Sequence, residues 1–404
     1  MKFSKLSQLA LVSAIGLIVA TLLTACQLVT IDYVYVAASA GGSAGSAGQI
    51  YGYATDAQSG AIRSAVPAIS SGGTNPVAMA MTSDFYNVYV ANQGNNSVVH
   101  FTVAGSGVLT QKESITPPNT PVSIAVNSAN TYLYVISGTS SATLTEYPLS
   151  SSGTIGAATA TASLTVPGYT TDTILPTGVI VLANNDAVYV AAYDKSAYNP
   201  GGTTSSNANP GWVFGYSVGS SGALTAVSGS PYQAGVKPSA LATDPTSRFV
   251  FVTDYASNEL IGYTVLSTNQ LSFMINGPFK TGNEPTAITI DPRGIYMYVT
   301  NSLDNTLSSY SISLPTGTPS TIVGSGSTSG NTTDTEPVSV TVEPSLGRYV
   351  YTANRLGNSL SGFKLNPETG ALTTTQATPY PTGAYPMAVI AVPHGNHATQ
   401  SVTP

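Results

Sequence analysis

Glu284 to Ile312, EPTAITIDPRGIYMYVTNSLDNTLSSYSI, reads as three strands and two turns. PTAITI (285–290) runs into an Asp-Pro-Arg-Gly turn, IYMYVTN (295–301) follows, and a short Asn-containing turn leads into TLSSYSI (306–312). Alternating Tyr, Val, Thr and Ile suit a pleated, half-buried surface, and Asp-Pro and Gly supply the turn chemistry. A strand trio this short cannot bury its own faces, so the unit needs neighbours.

Those neighbours are copies of itself. The opening proline recurs at Pro76, Pro121, Pro176, Pro238, Pro285, Pro337 and Pro386, in steps of 45, 55, 62, 47, 52 and 49 residues, the spacing of propeller blades. Two residues after each proline stands a small side chain (Ala78, Ser123, Gly178, Ala240, Ala287, Ser339, Ala388). A large apolar one follows it (Met79, Ile124, Val179, Leu241, Ile288, Val340, Val389). Aromatics mark the second strand at Tyr89, Tyr134, Tyr189, Phe251, Tyr298 and Tyr351, and the third at Phe101, Tyr147, Tyr216, Tyr263, Tyr310 and Phe363. The second-strand aromatics and the small/large alternation of the first strand are expected to pack blade against blade. Asn96, Asn258, Asn305 and Asn358 each follow by four residues the Asn or Asp that closes a second strand, and they read as turn residues tolerant of positive φ. The Asp244-Pro245, Asp291-Pro292 and Glu343-Pro344 turns read as structural features of the opposite face.

The chain does not begin on a proline strand. Tyr33 to Ala38 matches a second strand, Ile50 to Thr55 a third, and Gly60-Ala61-Ile62 starts a fourth. Pro386 to Val392 is an inner strand with nothing after it, so one blade is expected to join three N-terminal strands to the C-terminal one. The fold class is therefore all-β: a seven-bladed propeller of four-stranded blades, closed so that no sheet edge stays open at the seam.

Before the repeat, Lys2 and Lys5 precede an apolar run from Leu9 to Leu23, which reads as an export signal over 1–25. The run ends in Leu-Thr-Ala-Cys26, which resembles a bacterial lipobox. Cys26, the single cysteine, is the expected lipidation site, and it offers no internal disulfide. The expected division is signal 1–25, anchored linker 26–32, propeller 33–392 and tail 393–404. The protein would then be exported and membrane-anchored, facing the periplasm or outer membrane where a host has two membranes, because Gln27 rather than Asp follows the cysteine. Loss of Lys2 and Lys5 with the signal moves the net charge from −6 to −8. That acidic balance argues against nucleic acid as a partner. Charged residues make up 7% of the chain, so Ser, Thr, Gly and Asn must fill the surface, as in exported β proteins. No His pair, Cys pair or dense acidic loop suggests a metal, and no fingerprint suggests a cofactor. A monomer is expected.

NVYVAN (87–92), FVFVTD (249–254), MYVTN (297–301) and VYTAN (350–354), each followed by Asn-x-Leu/Val and an aromatic, resemble the YVTN-type repeat. With the Gly-x-Leu turns at 222–224 and 370–372, the mature chain is similar to the seven-bladed lactonase-type propellers, a group that includes 6-phosphogluconolactonases and cycloisomerases beside many surface proteins. That resemblance is specific for fold and implies a lactone hydrolase as one possible activity. Members of the group often carry histidine just after the blade proline. Here those positions hold Val77, Val122, Thr177, Ser239, Thr286, Val338 and Met387, which tells against a histidine-dependent site.

Charge is scarce, so its placement is informative. Immediately before successive prolines stand Asn75, Thr120, Leu175, Lys237, Glu284, Glu336 and Tyr385, at the end of each blade where the inner strand begins. Lys237, Glu284 and Glu336 from consecutive blades should meet at the channel mouth, bordered by Asp254 and Arg355. The long loop Asp194 to Gly211, flanked by Tyr193 and Trp212, should rise beside them. An ammonium, two carboxylates and aromatics suit a small polar organic ligand such as a sugar or its lactone. In a hydrolase, Glu284 or Glu336 would be the base and Lys237 the holder of an oxyanion or carboxylate. Three readings follow: a non-catalytic envelope protein that binds a small ligand or a protein partner, a lactonase-like hydrolase, and a surface-layer or adhesion component.

One acyl chain holds a protein only marginally in a bilayer, whereas two hold it stably. Cys26→Ala is therefore expected to leave an unlipidated precursor that no longer partitions with membranes. Mass spectrometry of the wild-type N-terminus checks this; an unmodified Cys26 would refute the anchor.

Overall fold

The computed structural model describes residues 29–39, 45–138, 142–166, 174–196, 210–323 and 330–395. The expected export signal over 1–25, Cys26, the centre of the 194–211 loop and the end of the tail lie outside the described residues. Seven antiparallel sheets are arranged around one axis, each with its proline strand innermost. Blades are named below by that proline. In the Pro285 blade the strands Pro285–Ile290, Tyr296–Asn301, Thr306–Ile312 and Pro319–Val323 follow one another outward.

The split blade is observed as expected. Thr30–Ser39 pairs with Ala47–Asp56 on one side and with Pro386–Pro393 on the other, and Ile62–Thr74 is outermost. Pro386–Pro393 neighbours both Pro337–Val342 and Pro76–Met81, so the circle of inner strands is complete.

Each inner strand carries a register shift just after its proline, between Pro285 and Ala287 for example, and the opposing shift at Ala37/Ala38 marks the split blade. A bulge re-aims one side chain, and here the residue after each proline faces the axis. Val77, Val122, Thr177, Ser239, Thr286, Val338 and Met387 accordingly all line a central channel of about 220 Å³.

The core is divided rather than single. Buried apolar residues fall into seven clusters, each shared between two adjacent blades: Val250, Val252 and Tyr263 pack with Tyr189 and Ala191 of the blade before them, and Met297 and Val299 pack with Phe249 and Phe251. No blade buries its own faces; the neighbours do.

Tyrosine hydroxyls tie these interfaces. The second-strand hydroxyls of Tyr35, Tyr89, Tyr189, Tyr298 and Tyr351 donate one blade ahead, to the carbonyls of Gly107 (2.6 Å), Gly153 (2.6 Å), Asn269 (2.5 Å), Gly370 (3.0 Å) and Gly60 (2.7 Å). Third-strand tyrosines reach back: Tyr53 to Pro381 (2.8 Å), Tyr310 to Lys280 (2.6 Å) and Tyr263 to Gln233. The Gly370 turn has φ +70°, and a Cβ there would stand 2.3 Å from the Tyr296 ring, so both conformation and close approach require glycine.

The turn asparagines adopt the left-handed backbone anticipated for them: φ is 51° at Asn96, 57° at Asn258, 54° at Asn305 and 49° at Asn358. On the opposite face the acidic turn residues are structural. Asp244 accepts the Arg248 and Phe249 N–H groups (2.7 Å each), and Asp291 accepts those of Ile295 and Tyr296 (2.9 and 2.8 Å).

Deleting 386–404 removes the inner strand of the split blade and leaves Thr30–Ser39 unpaired on that side. Aggregation or loss of a cooperative thermal transition is expected. Deleting only 396–404 keeps every described strand pair and should leave the midpoint within about 2 °C of the intact chain. Scanning calorimetry of the two truncations checks the closure; equal midpoints would refute it.

Candidate functional site at the channel mouth

Four of the seven residues before a blade proline have a left-handed backbone: Asn75 (φ 49°), Glu284 (54°), Glu336 (60°) and Tyr385 (53°). Such a conformation costs an ordinary residue about 1–2 kcal/mol, so hydrogen bonds must hold it. The Glu284, Glu336 and Tyr385 N–H groups donate to Asn258 Oδ1 (2.8 Å), Asn305 Oδ1 (2.7 Å) and Asn358 Oδ1 (2.9 Å), each the turn asparagine of the preceding blade. Their own blades fix the other side of two of them, through Ser302 N–H to Glu284 O (2.9 Å) and Arg355 N–H to Glu336 O (2.8 Å). Lys237 is held by a different set: its N–H donates to Asp254 Oδ1 (2.9 Å), and its carbonyl accepts the Tyr255 N–H (2.9 Å).

The half-buried side chains at this rim form one ion pair, Arg355 with Glu336, and set the Glu284 charge near the Lys237 ammonium, with aromatic rings between. The Lys237 ammonium lies over the Tyr255 ring at 4.2 Å and over Tyr193 at 5.6 Å, within cation–π range. Burial pushes the Lys237 ammonium below its ordinary pKa, and the nearby Glu284 charge opposes that shift. One blade on, Arg355 grips Glu336 with both nitrogens, Nε to Oε2 at 3.0 Å and Nη2 to Oε1. That bond holds the guanidinium proton more firmly still, and the Tyr255 and Tyr385 rings stand close enough to add to it. Tyr255 therefore neighbours both cations.

Lys237, Glu284, Glu336, Arg355 and Tyr193 are thus brought to one rim. Asp254 is not. Asp254 is fully buried, and its carboxylate accepts the Val236 (2.7 Å), Lys237 (2.9 Å), Ala256 (3.1 Å) and Ser257 (3.4 Å) N–H groups. It shapes the mouth without offering an oxygen to it. Trp212 is buried in the Pro176 blade, paired in the ladder with Ala192 and packed among Val190, Phe214 and Leu164.

Sequence reasoning passed over Tyr255, and it placed Tyr385 before its blade proline without giving it a role. The signal for Tyr255 was present, because it directly follows the residue closing its second strand, as Arg355 does in the Pro337 blade. Beneath the mouth, the channel wall carries hydroxyls that bridge blades: Ser239 donates to Pro285 O (2.6 Å) and Thr286 to Pro337 O (2.8 Å). Among the described residues no titratable side chain lines that channel, and the charges near the axis stand at the rim.

A family model, the seven-bladed β-propeller lactonases, matches residues 33–176 and 231–396. No curated protein matches the chain by sequence. Among solved structures, a candidate 6-phosphogluconolactonase from Bacteroides uniformis is similar at 18% identity and TM-score 0.69, covering 90% of this chain and 100% of its own. The periplasmic gluconolactonase of Pseudomonas aeruginosa is similar at 17% identity and TM-score 0.71, covering 90% and 99%. A protein from Lactobacillus plantarum is similar at 16% identity and TM-score 0.69, covering 90% and 99%. At these identities the likeness is one of fold.

The difference between Asp254 and the rim charges is measurable. Asp254→Ala strips a buried carboxylate from several N–H donors and should cost about 3 kcal/mol or more. Arg355→Ala removes an accessible ion pair and should cost no more than about 1 kcal/mol. Urea unfolding of the two variants checks the assignment.

Proposed function

The chain belongs to the seven-bladed β-propeller lactonase family, and from that premise we propose that it is an exported, lipid-anchored propeller that holds a small polar organic ligand at its charged mouth. The observation carrying this reading is the Lys237 ammonium set against two tyrosine rings beside Glu284. Ring faces suit the C–H face of a sugar, the ammonium a carboxylate or carbonyl oxygen, and Glu284 a hydroxyl hydrogen. The similarity to a periplasmic gluconolactonase supports export; anchoring rests on the lipobox-like sequence at Cys26.

A second reading, hydrolysis of a sugar-derived lactone, is supported by family membership and by the same pair. Glu284 would take a proton from water as that water attacks the lactone carbonyl carbon. Lys237 would stabilise the oxyanion, and the ring C–O bond would break as the leaving alkoxide regains a proton. Of the two glutamates, Glu284 suits the base better, because Arg355 occupies both oxygens of Glu336.

Calorimetry of residues 27–404 with aldonolactones, aldonic acids and polyols tests binding, and a titrated lactone-hydrolysis panel tests turnover. Lys237→Ala and Glu284→Gln should fold normally, yet weaken retention of a responding ligand by about 30-fold or more, since a desolvated partner is lost. Binding without turnover favours the first reading and turnover the second. Unchanged affinity in both variants would remove the mouth from function.

A further inference from the structure

At the seam where the last whole blade meets the split blade, the basal turn differs from its counterparts. Asp291 at this position of the Pro285 blade holds Arg293 Nε at 2.7 Å. Glu343, at the matching position of the Pro337 blade, accepts Arg348 N–H (2.6 Å) on Oε1 and Leu346 N–H (2.8 Å) on Oε2. Its side-chain neighbour across the interface is no cation but a second carboxyl, Asp32. Both residues are 0% exposed.

Asp32 sits where the two ends of the chain are joined, paired in the ladder with Thr55 on one side and Pro393 on the other. Its Oδ1 accepts the Ser345 hydroxyl at 2.7 Å. Its Oδ2 is buried with no donor of its own, and the Asp32 carboxyl stands within hydrogen-bond reach of the Glu343 carboxylate. Two anions in contact inside a dry interface repel strongly, so one proton must lie between them. Main-chain N–H groups already stabilise charge on Glu343, and none does so at Asp32 Oδ2. The proton therefore belongs to Asp32, which donates to Glu343 and so accounts for the orphan oxygen.

Among the described residues no cation is paired with either carboxyl: Arg293 of the neighbouring blade reaches the same turn, but its guanidinium is held by Asp291 (2.7 Å) and Gly347 O (3.1 Å). Tyr351 faces the pair from the second strand of the Pro337 blade, with its hydroxyl engaged on Gly60 O (2.7 Å). Tyr349 stands beside Glu343 with its hydroxyl on Ala57 O (3.0 Å), and Asp56 lies beyond it. Arg348 gives the pair its main-chain N–H, while its side chain is exposed.

We propose that Asp32 and Glu343 form a proton-held latch across the ring seam, closed at mildly acidic pH and slackened as the proton leaves. Burial, and then the Glu343 charge, push the Asp32 carboxyl well above its ordinary pKa; burial raises Glu343 too, against its hydrogen bonds. The folded chain thus binds the proton more tightly than the unfolded chain does. The contribution to stability is complete below the unfolded carboxyl value of about 4 and is lost as pH rises through the higher folded value.

Asp32→Asn is the test, because its amide donates to Glu343 at every pH. Thermal midpoints of wild type and variant, from about pH 5 to pH 9, should diverge: the wild type should fall relative to the variant by on the order of 2 °C per pH unit through the titration. Parallel curves would overturn the latch. Hydrogen exchange of wild type alone gives a second reading that stands even if the variant fails to fold. The exchange rate of Thr30–Ser39 and Pro386–Pro393, divided by that of Phe249–Asp254, should rise up to about tenfold per pH unit over the same window, and a constant ratio would overturn the proposal.

Discussion

A tyrosine hydroxyl reaching the carbonyl of the next blade's turn is the contact on which the rest of this structure depends. A four-stranded sheet with apolar faces cannot stand alone, and each blade here is completed only by its neighbours. The ring body of tyrosine fills the space between two sheets, while its polar tip must find a partner once buried. The glycine turns provide that partner. Burial raises the phenol pKa of Tyr35, Tyr89, Tyr189 and Tyr298, and pushes that of Tyr53 up to about 12, so these groups remain donors throughout the ordinary pH range. The Phe251 position lacks the hydroxyl, and Tyr134 turns toward buried Glu146 instead; both interfaces rely on packing, backed by tyrosines reaching the other way.

The same construction separates scaffold from site. The left-handed residue before the proline occurs with Asn75, Glu284, Glu336 and Tyr385 alike, so its backbone belongs to the blade rather than to any one chemistry. The side chain it carries is free to vary, and these four, with Thr120, Leu175 and Lys237 at the same place in the other blades, ring one mouth. Into them this chain places an ammonium and two carboxylates, although charge makes up only 7% of its residues. Below them the wall is hydroxyl and alkyl, with serine and threonine used to tie one inner strand to the next. Function can change at the rim while the ring stays intact, because an accessible charge contributes little to stability.

Much of this was legible in the sequence, for a physical reason. Strand alternation, turn asparagines and the proline register are local or repeat at a fixed interval, so seven copies report the same geometry seven times. The unmatched Pro386 strand and the proline-less start at Tyr33 could be joined from sequence because a sheet edge left open is unfavourable. The rim position of Lys237, Glu284 and Glu336 followed from where inner strands begin. Asp254 was harder, since its role depends on direction. Asp254 shares its position with Asn92, Asn301 and Asn354, all fully buried.

What the sequence by itself determined is the architecture: an all-β ring of seven blades, its seam, and the seven side chains offered at one mouth. Periodicity and turn chemistry suffice for that, being set by residues close in the chain. Only the tertiary structure decided which of those side chains meet. The pairing of Arg355 with Glu336, the placing of Tyr255 between Lys237 and Arg355, and the contact of Asp32 with Glu343 depend on how far each blade turns relative to the next. That rotation is fixed by packing summed around a closed ring, which no single repeat contains.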